Sequence, residues 1–151
     1  MRKKQIIFGF LSAVLVTFLL ASITGTQVVL AEILGFGLDV SLADRLSATF
    51  HDIVGLAPVL IILTGSAFLV AFPVAALCAR FLDRSRTYWY LAAGFSSLPV
   101  TLILIKWFMG VTLFAAARTL SGMLLFALCG LVGGWLFARV TKPNISPGRI
   151  E

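Results

Sequence analysis

LAPVLIILTGSAFLVAFPVAALCA, residues 56–79, carries no charged side chain. A helix needs roughly 20 apolar residues to cross the hydrocarbon core of a bilayer. This stretch meets that length, and it shows none of the polar face that a soluble surface helix would present. Outward from it, three more stretches read the same way. Ile6 to Ile23 and Tyr88 to Ile105 are uncharged runs, and so is Leu120 to Ala138. Val111 to Ala117 is also apolar, and Arg118 divides it from the last run. The pattern predicts four spans, at about 5–25, 57–79, 88–108 and 114–138. The expected fold is an all-α integral membrane protein, a single four-helix domain over residues 1–151.

Composition agrees. Of 151 residues, 60% are hydrophobic and 12% charged, against roughly 45–50% and roughly 25% in soluble domains. There are 13 phenylalanines. A soluble chain of this size has no interior large enough for so much apolar surface. Disorder, collagen, coiled coil and a nucleic-acid module are excluded.

Lysine and arginine set the orientation, because cytoplasmic loops retain them. With both termini inside, all but Arg45, Lys106 and Arg118 fall on the cytoplasmic side: Arg2, Lys3, Lys4, Arg80, Arg84, Arg86, Arg139, Lys142 and Arg149. Asp39 and Asp52 fall outside, and so do Glu32 and Asp44. The net charge of +6 is therefore a topological signal, and no nucleic-acid partner is expected. Tyr88, Trp89 and Tyr90 open the third span and Trp107 closes it. Trp89 to Trp107 is about 27 Å of helix at the usual rise, close to the core thickness of roughly 30 Å. The expected location is a bacterial-type inner membrane. Residues 1–22 also resemble a secretory signal, with Arg2-Lys3-Lys4 ahead of the apolar run and Ala21-Ser22 behind it. That run exceeds the roughly 7–15 residues of a signal core, so an uncleaved first helix is expected.

Helices in lipid associate through small residues that let backbones approach. These recur every fourth position here. The first span has Gly9, Ala13, Thr17, Ala21 and Gly25. The second has Ala67, Ala71, Ala75 and Ala79. The third has Ala93, Ser97 and Thr101, and the fourth has Gly130, Gly134 and Ala138. These faces are expected to form the seam of the bundle, with homo-oligomer contacts as the alternative. Pro73 and Pro99 lie within spans. Each removes a donor, freeing the carbonyls of Leu69 and Phe95.

Thr24 to Gly55 is longer than a turn requires. Gln27 to Leu34 is mostly apolar, and Gly35-Phe36-Gly37 then breaks the chain. Ser41-Leu42-Ala43-Asp44 has capping-box spacing with Asp in the usual Glu position. From there Leu42, Leu46, Phe50, Ile53 and Val54 share one face, while Asp44, Arg45, Ser47, His51 and Asp52 share the other. An outer amphipathic helix is expected over about 41–54, capping the bundle or docking on a partner, with Gly55 and Pro58 turning it into the second span. The candidate interaction face is Leu46 and Phe50 with Asp44, His51 and Asp52.

His51 is the only histidine. With Asp44 it offers two metal ligands at most, about 10.5 Å apart along the helix, where a metal site needs three or four. A solvated histidine is the expected reading, with external pH sensing as the alternative. Cys78 and Cys129 form no C-x-x-C motif and read as small apolar fillers. Lys106 and Arg118 flank the outer turn between the third and fourth spans, where they would snorkel to headgroups or hold an anion or lipid phosphate.

No acid lies within a span, whereas proton- and sodium-coupled carriers place one there. No phosphate loop, haem-ligand pair, G-x-S-x-G or zinc motif occurs. No catalytic residue and no cofactor is expected. The expected partners are the lipid bilayer and a second membrane protein or a second copy. The expected function is a non-enzymatic accessory or assembly subunit. The alternative is an uncoupled channel or small carrier, and a lipid- or quinone-handling enzyme ranks third.

Overall fold

The computed structural model describes residues 3–35, 41–81, 85–110 and 112–142. Phe36, Gly37, Asp39 and the terminal Arg2, Arg149 and Glu151 lie outside these ranges, as do Asp83 and Arg84. The described residues form four helices and no strand: α1 (Lys3–Gly35), α2 (Leu42–Phe81), α3 (Arg86–Met109) and α4 (Leu120–Val140), with a 3-10 turn at Ala115–Arg118. All four helices are long and apolar enough to cross a membrane. Each packs on the next, and α4 packs back on α1, so the bundle closes into a ring.

The first two helices are longer than the spans expected of them. α1 has 33 residues and runs without a break through Gln27–Leu34 to Gly35. α2 has 40 residues, so the outer helix expected over 41–54 and the second span are one continuous rod. Gly55 and Pro58 do not turn the chain. Pro58 takes away only the bond to the Val54 carbonyl. Val54 is exposed, and water can reach an acceptor on that side. Gly55 has open space around its Cα, so no neighbour forces a bend there. The reciprocal Ser41–Asp44 box does form: Asp44 N donates to Ser41 Oγ at 3.2 Å, and Ser41 N to Asp44 Oδ2 at 3.1 Å.

The fourth helix starts later than 114. Thr119 caps α4, its Oγ1 accepting from Gly122 N at 3.2 Å. Thr119 is itself extended, which separates the 3-10 turn from the helix. α3 closes on Gly110, whose φ of 69° is left-handed and whose N donates to Lys106 O at 2.9 Å. Glycine takes that conformation without Cβ strain.

The interior is built from rings and small residues. Phe72 stacks on Phe68 at 4.5 Å and on Phe137 at 4.3 Å between centroids, and meets Tyr90 edge-on at 5.8 Å. This cluster ties α2 to α3 and α4. The small-residue series of α1 is interior: Ala13 and Thr17 are fully buried, and Ala21 and Gly9 are buried with them.

Two ends of the bundle are chemically distinct. The starts of α1 and α3 meet the ends of α2 and α4 at one end. Gly9 lies against Thr141, Phe10 against Phe72, and Arg86 against Thr141. We call this the basic end, since Lys3, Lys4, Arg80, Arg86, Arg139 and Lys142 all belong to it. At the other end, α1 and α2 continue together as an antiparallel helical hairpin.

Candidate functional site

The hairpin is held by polar side chains between its two helices. Thr26 Oγ1 donates to Asp52 Oδ2 at 2.7 Å. Gln27 uses both ends of its amide, donating from Nε2 to Thr49 Oγ1 at 3.3 Å and accepting from Arg45 Nη1 at 3.2 Å. Thr49 Oγ1 donates back to the Arg45 carbonyl at 2.7 Å. Arg45, Thr49 and Asp52 thus turn toward α1, at helical spacing along one side of α2.

That placement decides the rest of the helix. Leu42, Leu46, Phe50 and Val54, spaced by four, point away from α1 and are 77%, 67%, 68% and 61% exposed. The apolar face of this segment therefore does not cap the chain's own bundle; its polar side does the packing. The expectation of a wet polar face fails for Asp52 and Arg45, because α1 carries its own polar groups, Thr26 and Gln27, at the matching depth. Asp44 and His51 are exposed. The Ser41 hydroxyl and amide beside Asp44 hold its carboxyl below the ordinary carboxylate value. The structure therefore separates the candidate residues. Leu46 and Phe50 lie on one exposed stripe, whereas Asp52 lies in the hairpin seam.

Asp52 also borders a small cavity of about 220 Å³ at the root of the hairpin, shared with Ser22, Thr26, Leu56 and Phe126. Ser22 Oγ is buried there with no hydrogen-bond partner among the described residues. Lys106 in the last turn of α3 and Arg118 at the end of the 3-10 turn are both exposed at this end. No three of His, Cys, Asp and Glu converge among the described residues. Cys129 is buried with its Sγ 3.6 Å from Thr24 Oγ1, and Cys78 is half-buried.

The packing candidates sort by helix pair. Gly130 and Gly134 face α3, where a Cβ on either would strike the backbone carbonyl of Gly94 or Tyr90. Gly94 is the matching contact: a Cβ on it would lie 3.0 Å from Gly134 Cα. Gly9 packs on the end of α4, with Thr141 Cγ2 3.1 Å from where its Cβ would be. Ala75 is buried and Ala71 half-buried, and both line a lateral groove of about 550 Å³ between α2 and α3. Gly133 was not marked by the four-residue series, yet its Cβ would lie 2.9 Å from Phe68 Cζ. Gly94 escapes the same pattern because it lies one position round from Ala93. The signal for it was the Tyr90-Gly94-Leu98 spacing, all three of which are buried.

No protein-family model, curated protein or solved structure matches this chain.

Proposed function

We propose that this protein is a multi-pass inner-membrane subunit, with both termini cytoplasmic, that binds another membrane protein through the hairpin and has no catalytic role of its own. The observation that carries the reading is the stripe of Leu42, Leu46, Phe50 and Val54. Counting about 20 residues back from Arg80, the length of a bilayer crossing, reaches Leu60. Everything before it on α2 stands beyond the hydrocarbon core, with Asp44, Arg45, His51 and Asp52 interspersed. A contiguous apolar strip in water marks an interaction surface. The partner's matching surface is an apolar helix face projecting beyond its own spans. The polar rim of Asp44 and His51 fits the edge of such an interface, where exposed charges contribute specificity more than affinity.

Native purification from membranes in mild detergent tests this. Leu46→Asp and Phe50→Asp should each abolish recovery of a stoichiometric partner while leaving the thermal midpoint of the isolated protein unchanged. Each would bury an unpaired carboxylate at the contact. Recovery of the partner at full yield with both variants would overturn the reading.

The cavity beside Asp52, with the unpartnered Ser22 hydroxyl, favours a second reading, an uncoupled channel or small carrier. In that case flux in liposomes should follow Asp52→Asn and ignore Phe50→Asp.

A further inference from the structure

A second groove opens at the basic end, far from the hairpin stripe. It holds about 480 Å³ between α1 and α2 and is apolar along its length. Ile6 and Phe10 form one wall, Leu69 and Ala76 the other, and the rings of Phe72 and Tyr90 form the floor. The floor is reached because α1 and α2 part at this end, so the groove passes between them to α3 and α4.

Two polar features break this apolar lining. Pro73 lies on the groove, and its ring nitrogen cannot donate to the Leu69 carbonyl one turn back. Arg86 closes the groove at its basic end. Its guanidinium donates to Thr141 O at 2.6 Å and to Thr141 Oγ1 at 2.9 Å, and it lies over the Tyr90 ring at 5.0 Å. A guanidinium has five N–H donors. Among the described residues two are engaged, leaving others for an anion.

From this we infer that the groove is a binding site for one anionic phospholipid, with an acyl chain along Phe10 and Phe72 and the phosphate at Arg86. The volume lies within the usual range of about 300–1,000 Å³ for ligand pockets. Charge complementarity selects an anionic headgroup over a zwitterionic one: Lys3, Lys4, Arg80, Arg139 and Lys142 surround the same end and carry no local acid among the described residues. Basic pockets between membrane helices bind anionic headgroups in this way. Arg86 fits phosphate better than lysine would, since its planar fork presents paired donors. The apolar walls exclude a headgroup-only ligand.

Native mass spectrometry of the full chain in detergent, offered equal phosphatidylglycerol and phosphatidylcholine of matched chains, tests the site. The wild type should retain one phosphatidylglycerol, about fivefold in preference to phosphatidylcholine, as about one added basic contact predicts. Ala76→Trp, which fills the groove from its α2 wall, should abolish retention of both lipids. Arg86→Gln should remove the preference and leave chain binding. Since Arg86 also holds Thr141, that variant is scored only beside Arg86→Lys, which should restore part of the preference. Lys106→Gln, on an exposed residue at the opposite end of the bundle, should change neither. Equal retention of the two lipids, or retention unaffected by Ala76→Trp, would overturn the inference. So would displacement of the lipid by inorganic phosphate, since that would mean a phosphate site without a chain.

Discussion

At the scale of single residues, the α3–α4 seam rests on the absence of three β-carbons. Gly94, Gly130 and Gly134 let two backbones meet, and a methyl added at any of them runs into main chain rather than a movable side chain. Gly94→Ala and Gly134→Ala should each cost about 1–3 kcal/mol, the usual range for overpacking. The check is the thermal midpoint in detergent. Gly65→Ala is the control, since nothing among the described residues lies within contact of a Cβ there. It should be neutral or slightly stabilising, as alanine is the better helix former. If Gly65→Ala is the most damaging of the three, the seam has been misplaced. The GxxxG of the fourth helix was legible because glycine at spacing four has few other uses in a helix. Which helix it faces was not legible. That depends on Gly94, whose neighbours Ala92 and Ala93 are small as well, so size alone could not choose among them.

The hairpin belongs to the scale of the element, and there the sequence left two covers open for the apolar face, the chain's own bundle or a partner. Leu42, Leu46, Phe50 and Val54 do share a face. The bundle does not cover it, because Gln27 and Thr26 offer α2 polar partners on α1. Two predictions follow from that arrangement. Asp52→Ala should loosen the hairpin by about 1.5–3 kcal/mol, the scale of a hydrogen bond to a charged group, and speed amide exchange at Val28–Leu30. His51→Gln should leave exchange unchanged, because His51 is exposed beside the seam rather than in it. The second prediction concerns the first turn of α2. The Ser41 contacts hold the Asp44 carboxyl below its ordinary value of 3.8. A depressed folded value means that the cap contributes fully above about pH 3.8 and is lost as pH falls through the lower, folded value. Protection of the Arg45 amide, which donates to Ser41 O at 3.1 Å, should therefore fall only in that acid window. Asp44→Asn should remove the pH dependence, and a loss of protection near neutral pH would contradict the cap.

For the whole molecule, what each end can meet depends on which compartment it faces. The ring of helices brings six described lysines and arginines to one end, a grouping the sequence already carried in its loop charges. Reporter fusions after Arg86 and after Arg149 should therefore read cytoplasmic, and one near Asp39 external. A cytoplasmic reading at Asp39 would reverse the orientation and move the stripe to the other side. The number and order of the long apolar helices were legible because hydropathy along a chain is nearly one-dimensional: a helix either has the length and composition to cross a bilayer or it does not. The lateral grooves were not legible, since they depend on how far neighbouring helices part, and no local pattern encodes that distance.

The continuity of α2 makes it a lever. At the usual rise its 40 residues form a rod of about 60 Å, with the apolar stripe near one tip and the wall of the basic-end groove near the other. Pro73 lacks one rung of the helix ladder and is the natural pivot, with Phe68 and Leu69 on the arm attached to the hairpin and Ala76 beyond it. If the proposed partner seized the stripe and tilted that arm, Phe68 and Leu69 would shift against the groove while Ala76 stayed in place. A force applied at one end of the bundle would then be felt as a change of aperture at the other.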